Sequence, residues 1–254
     1  MYKGKYNLIM TKMNVLLVCL FFPFFLLGQK KKKEEYIIPE ISGFVFDAKL
    51  NNWEGHLFNP QSSLWSFGIV KSGNKLFAAA RIKNQGLIKE AIRNGILLNL
   101  SYSDKKKDGA QIIFPRLNLE KLERQVDVEE LGNNITNQEL IQSSKGYYVK
   151  GFERVVDGLL SFNNQYGIHA SCTIGTSGDL VYLVEVPLDL VKFQTKEIVV
   201  QLAVNTQFLQ LKKMSKVSAN SNINRGYYGF APSTPQIKNP YEENIDVWFK
   251  GILK

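Results

Sequence analysis

The sequence predicts an all-β-leaning chain, an antiparallel β-sandwich with a few short helices inserted between strand groups. Three observations lead there. Apolar and polar residues alternate with period two over many short segments. Polar turns join those segments, and helical periodicity is confined to three stretches between strand groups. One buried and one wet face per sheet is the expected consequence of the alternation.

The first element is expected to be removed and to take no part in the fold. Val15 to Leu27 is a run of 13 residues without a charge, preceded by Lys3, Lys5 and Lys12 and followed by Gly28 and Gln29. That is the order of a secretory signal, and the run is shorter than the ~20 apolar residues of a membrane span. Residues 1–28 are therefore expected to be a cleaved signal peptide, and 29–35 a charged linker. Residues 36–254 are expected to form a single β-sandwich domain with a long irregular C-terminal segment, 207–245. Gln29 stands where a lipoprotein would need an acylated cysteine, so the chain is expected to be exported, periplasmic or extracellular, and not a lipoprotein. No stable membrane insertion is expected after cleavage. An uncleaved anchor is the alternative, because Lys30–Lys33 directly after the apolar run discourages translocation.

Along the domain, Leu64–Val70 puts Trp65, Phe67 and Ile69 on one face, and Lys75–Lys83 groups Leu76, Ala78, Ala80 and Ile82. The turn Ser72-Gly73-Asn74 makes these a hairpin. Gly86–Asn94 pairs Leu87 with Ala91 and Ile88 with Ile92, a helix ending at Gly95. Strands follow at Ile96–Tyr102 and Ala110–Phe114. Asn118–Leu131 carries a helical stripe, and Thr136-Asn-Gln-Glu139 reads as a capping box opening a short helix through Ser143. Tyr166–Ile174, Leu180–Val186 and Lys196–Thr206 alternate again. Ile245–Phe249 is expected as an edge strand.

Composition narrows the function. The whole chain is +9; without the three lysines of the signal it keeps 29 basic against 23 acidic residues, a net +6. The excess sits in short clusters and not along one element, so no nucleic-acid partner is expected. Of two cysteines, Cys19 falls in the signal, which leaves Cys172 alone and excludes an intramolecular disulfide after cleavage. The two histidines are His56 and His169. No zinc-binding His pair, nucleophile elbow or phosphate-binding glycine loop is present. No catalytic residue, cofactor or metal is expected. Cys172 shares the apolar face of its strand with Ile168 and Ile174, so a buried thiol is expected, while His169 belongs to the wet face beside Ser171 and Thr173. Asp179 in a turn and Asp47 at a strand end are acids that would suit Ca²⁺, without the spacing of a known loop.

Aromatic side chains on loops are the remaining signal. Trp53 lies in a polar loop, Tyr227 and Tyr228 in the Asn- and Ser-rich segment, and Trp248 in the last strand. These four are the candidate ligand-binding residues, since flat exposed rings stack on sugars. The competing expectation is that they fasten loops onto the sandwich.

Lys49-Leu-Asn-Asn-Trp-Glu-Gly55, followed by Gly68-Ile-Val-Lys-Ser-Gly-Asn-Lys-Leu-Phe-Ala-Ala-Ala-Arg81, resembles the opening of DOMON-like and family 9 carbohydrate-binding-module β-sandwiches. Ile92–Asn99, Ile113-Phe-Pro115 and Gly178–Leu188 resemble more closely a group of uncharacterised exported bacterial proteins. The resemblance covers roughly residues 41–205, carried by these short motifs. The resemblance implies the sandwich, and Asn51 and Asn52 stand where that opening usually has acids, which departs from its metal-binding pattern. The sequence thus points to an exported non-catalytic binding module for glycan or cell-envelope material. The alternative is a structural or assembly subunit that binds another envelope protein.

Overall fold

The computed structural model describes residues 36–46, 50–101, 108–117, 136–192, 196–220 and 238–252. Its strands are β1 (Tyr36–Ile37), β2 (Trp65–Ser72), β3 (Lys75–Ile82), β4 (Ile96–Ser101), β5 (Ala110–Phe114), β6 (Gly146–Lys150), β7 (Gly158–Ser161), β8 (His169–Ile174), β9 (Leu180–Pro187), β10 (Glu197–Val204) and β11 (Asp246–Ile252). The helices are α1 (Gln85–Asn94), α2 (Asn137–Gln142) and α3 (Gln207–Asn220). Two sheets form, one in the order β1-β11-β10-β4-β5-β6-β7 and one in the order β2-β3-β9-β8. Every pairing is antiparallel except β1 with β11. The fold is therefore the expected all-β sandwich with short helices between strand groups.

The alternating residues fill the space between the sheets. Trp65, Phe67 and Ile69 of β2 face Leu98 and Leu100 of β4 and Val200 and Leu202 of β10 within one apolar cluster, all with 0% exposure. Burial of this kind is the main stabilising term, about 25 cal/mol per Å² of apolar surface. Gly73 supplies the positive φ (54°) of the β2–β3 turn. α1 is capped by Asn84 Oδ1, which accepts from Leu87 N, and closes at Gly95 (φ 81°). There an added Cβ would meet Pro115 O at 2.7 Å. α2 carries the expected capping box between Thr136 and Glu139.

The chain crosses between the sheets on both flanks. β1 pairs with β11 of one sheet, and Glu40 then bridges to Lys71 of β2 in the other. Lys71, 5% exposed, is paired with the Glu40 carboxylate at 2.9 Å. On the opposite flank, residues 162–168 carry the chain from β7 into β8.

Several expectations need correction. β6 and β7 were not foreseen, because Gly146–Lys150 and Gly158–Ser161 are too short to show a period. The strand at the C-terminus is not at the edge: β11 lies between β1 and β10. Residues 207–220 are helical and not irregular; Thr206 Oγ1 accepts from Leu209 N, and no Gly or Pro interrupts a run rich in Gln, Leu, Lys and Met. The helix expected at Asn118–Leu131 lies outside the described residues. Nor are the outer faces simply wet. The outer face of β2, β3 and β9 holds a second cluster of Trp53, Val70, Phe77, Ala79 and Leu183, joined by Ile41, Phe44, Phe46, Leu50 and Leu57 from the N-terminal segment. Gln201, on the outer face of β10, is 7% exposed and held between Asn99 (3.3 Å) and Asp246 (2.6 Å).

Candidate functional site

Of the four rings proposed from the sequence, two lie among the described residues, and of these Trp53 is buried and Trp248 half-buried. Trp53 is 3% exposed. It ends a short 3-10 turn, Leu50–Trp53, and packs edge-on against Phe44 at 5.0 Å. Gly68 of β2 makes room for it: a Cβ there would sit 3.1 Å from the indole and 2.6 Å from His56 O. The motif that reads as a displayed tryptophan is thus the peg fixing the N-terminal segment to the sheet, and its ring offers no face to a ligand. Trp248 is half-buried in β11, opposite Gln201 of β10. Tyr227 and Tyr228 lie outside the described residues, as does Asp47.

The polar candidates are also placed. Cys172 is 5% exposed on the inner face of β8, where burial pushes its thiol well above the ordinary range. Tyr182, beside it in the core, is shifted upward for the same reason, and its hydroxyl has no hydrogen-bond partner among the described residues. His169 is exposed on the outer face of β8, opposite Glu185 of β9. Asp179 is bound by Arg81, whose Nε and Nη2 both lie 2.6 Å from Oδ2. Among the described residues no three His, Cys, Asp or Glu side chains gather at metal-ligating distance, and no helix is long and apolar enough to cross a membrane.

The surface that does stand out is at the β6–β7 end of the larger sheet, which the sequence reading did not flag. The turn between these strands is firmly held. Phe152 and Val155 insert into the core at 6% and 8% exposure. Glu153 N donates to Leu190 O at 2.7 Å, and the Arg154 guanidinium meets Asp189 at 2.8 Å. Gly151 N donates to Asp157 Oδ1 at 2.7 Å, closing the turn. Between these anchors Val156 is displayed at 87% exposure, followed by Leu159 at 60% in β7 and Phe162 at 43% just beyond it. Phe162 packs edge-on against Tyr147 (5.1 Å) and Phe114 (5.8 Å). Leu159 lies opposite Tyr148, over whose ring the Arg116 guanidinium sits at 4.8 Å. The result is a rigid sheet edge that carries apolar side chains into water.

That edge has a counterpart. β8 is the edge of the smaller sheet, and side chains close its free side. Asn164 bonds both the N–H and the C=O of Ile168 (3.4 and 2.9 Å). The Tyr147 hydroxyl shares a hydrogen bond with the Ala170 backbone, and Ile174 N donates to Gln138 Oε1 at 2.9 Å. Unpaired edges invite association, and side-chain cover of this kind prevents it. On β7, among the described residues, the one side chain bonded to the backbone is Asn164, at Ser161 O (3.1 Å).

Comparison with known proteins gives no match: no family model, no curated protein and no solved structure is similar to this chain.

Proposed function

We propose that this chain is an exported, non-catalytic assembly module that takes an extended segment of another envelope protein along β7. The observation that carries the reading is the exposure of Leu159 on edge strand β7, flanked by exposed Val156 and Phe162, after a turn that is pinned to the core. Strand addition uses two things, free backbone groups for hydrogen bonding and side-chain contacts on alternate residues. β7 offers the sheet edge, and Leu159 on its outer face offers one such side chain, with Val156 and Phe162 exposed on either side of the strand. The apolar run Val15–Leu27 after three lysines supports the exported setting. Between the two readings of the sequence, the burial of Trp53 favours the protein-binding one over a glycan platform.

A photo-crosslinking amino acid placed at position 159 of the full chain in its own envelope tests this. One discrete protein adduct is expected, with none from the same group at Thr173, which is exposed on the outer face of β8. Equal labelling from both positions, or no adduct from 159, would refute strand addition at β7.

A further inference from the structure

The helix α3 is held to the domain at its root. Thr206 caps it, Gln207 N donates to the Glu90 carboxylate at 3.3 Å, and Phe208 and Leu209 pack against the main core. Beyond that first turn, Gln210, Leu211, Lys212, Lys213 and Met214 are all exposed. Five successive residues go round the whole circumference of a helix, so over residues 210–214 the helix stands clear of the sandwich on every side. Leu211 and Met214, 44% and 66% exposed, are three residues apart and share one face. Lys212 lies 5.7 Å from the ring of Phe208. A helix whose turn at residues 210–214 gains no packing draws little support there from the domain, and such segments are marginal in water on their own.

Charge identifies what would cover it. From Gln207 to Tyr241 the sequence holds Lys212, Lys213, Lys216, Arg225 and Lys238 and no acid. We propose that α3 lies flat on an anionic lipid bilayer, with Leu211 and Met214 entering the boundary between headgroups and acyl chains and the lysines meeting the phosphates. Lysine stems can lie along the apolar surface while their ammonium groups stay in the headgroup layer. At about 21 Å for its 14 residues, the helix is too short to span and suited to rest in the interface. A peptide-binding groove would match the Leu211–Met214 stripe but not the unbroken basic sequence around it. This assignment is independent of the role given to β7.

The test reads the helix itself, because Val15–Leu27 in the full chain can enter any bilayer and vesicle binding alone would not discriminate. Amide hydrogen exchange is followed over residues 207–215 of the full chain, with vesicles of phosphatidylglycerol and phosphatidylethanolamine and with vesicles of phosphatidylcholine. Slowing on the order of tenfold is expected with the anionic vesicles only, reduced by added salt. It should vanish in the double variant Leu211→Glu with Met214→Glu, whose thermal midpoint should match the parent's since both side chains are exposed. Unchanged exchange with anionic vesicles, equal slowing with phosphatidylcholine, or full slowing in the double variant would each overturn the proposal.

Discussion

β7 and β8 follow one another in the chain and each ends a sheet, yet the two edges are finished in different ways. On β8, Asn164, Tyr147 and Gln138 meet the backbone at Ile168, Ala170 and Ile174. On β7, Leu159 is exposed, as are Val156 and Phe162 on either side of the strand. The contrast teaches that, of these two neighbouring edges, the fold closes β8 with side chains and leaves β7 open. Tyr147 belongs to both, since its ring braces Phe162 and its hydroxyl serves β8. Substitutions along these two strands therefore separate what holds the sandwich from what is left for a partner.

The largest effect is expected at that shared residue. Tyr147→Ala removes a ring that is 4% exposed and packed against Phe114 at 5.4 Å, and it also strips the Ala170 backbone of its hydroxyl. A loss of about 3–5 kcal/mol is expected, as for other large buried rings. Tyr147→Phe keeps the ring and should cost only about 0.5–1.5 kcal/mol. Urea titrations of both variants measure the difference. Similar losses from the two would mean that the hydroxyl, and with it the closure of β8, carries most of the stability.

Alkaline pH probes the inner face of β8. Burial raises the Cys172 thiol and the Tyr182 phenol above their ordinary values. Both groups stay protonated in the folded chain while the unfolded chain releases its protons, first from the thiol and then from the phenol. Stability is therefore fully present below the ordinary thiol pKa, about 8.5, and falls as pH rises above it. The slope is at most about 1.4 kcal/mol per pH unit for each group, and the thiol's part should disappear in Cys172→Ala. Thermal midpoints from pH 7 to 10 give the check, and a thiol reagent should label the native chain only once denaturant is added. A midpoint independent of pH in this range would place Cys172 outside the core.

Much of the core was legible in the sequence because its strands are long enough to show a period. Leu76 to Ile82 and Ile198 to Val204 alternate through several residues, and the inward members are all buried. The edge was not legible. Gly158–Ser161 is four residues long, and its importance comes from where residues 146–157 place it. Trp53 misled for a physical reason: its neighbours Asn51, Asn52 and Glu54 are exposed, so the local sequence reads as a wet loop, while Gly68, far along the chain, forms the slot that takes the indole. Gln201 likewise has the pattern of a solvent-facing residue. Its burial depends on Asn99 and Asp246, which only the register of β4, β10 and β11 brings beside it. An aspartate at 201 would set a second carboxylate against Asp246, so a substitution that looks harmless in the sequence is expected to be destabilising.

Closing side chains on β8 can be removed one at a time. Gln138→Ala takes the acceptor from Ile174 N at an edge that water can partly reach, so about 1 kcal/mol is expected, together with a greater tendency to associate. Light scattering during refolding measures the second effect. If the variant stays as monodisperse as the parent, closure of β8 depends on Asn164 and Tyr147 rather than on α2.

The smallest effect on stability should come from the open edge, and there the loss of function should be greatest. Leu159 is 60% exposed and lies beyond the hydrophobic cluster, so Leu159→Lys removes little buried area and should change stability by no more than about 0.5 kcal/mol. A charge on an exposed edge is also what opposes strand addition. The variant should therefore fold, keep its thermal midpoint and lose the partner captured in the envelope. Leu160, one residue along, packs against the core, and the same change there should unfold the edge and remove binding and stability together. The pair separates the two ways of losing a partner. If Leu159→Lys binds as well as the parent, the apolar display on β7 has no part in recognition, and the contrast between the two edges reduces to β7 being too short to need closing.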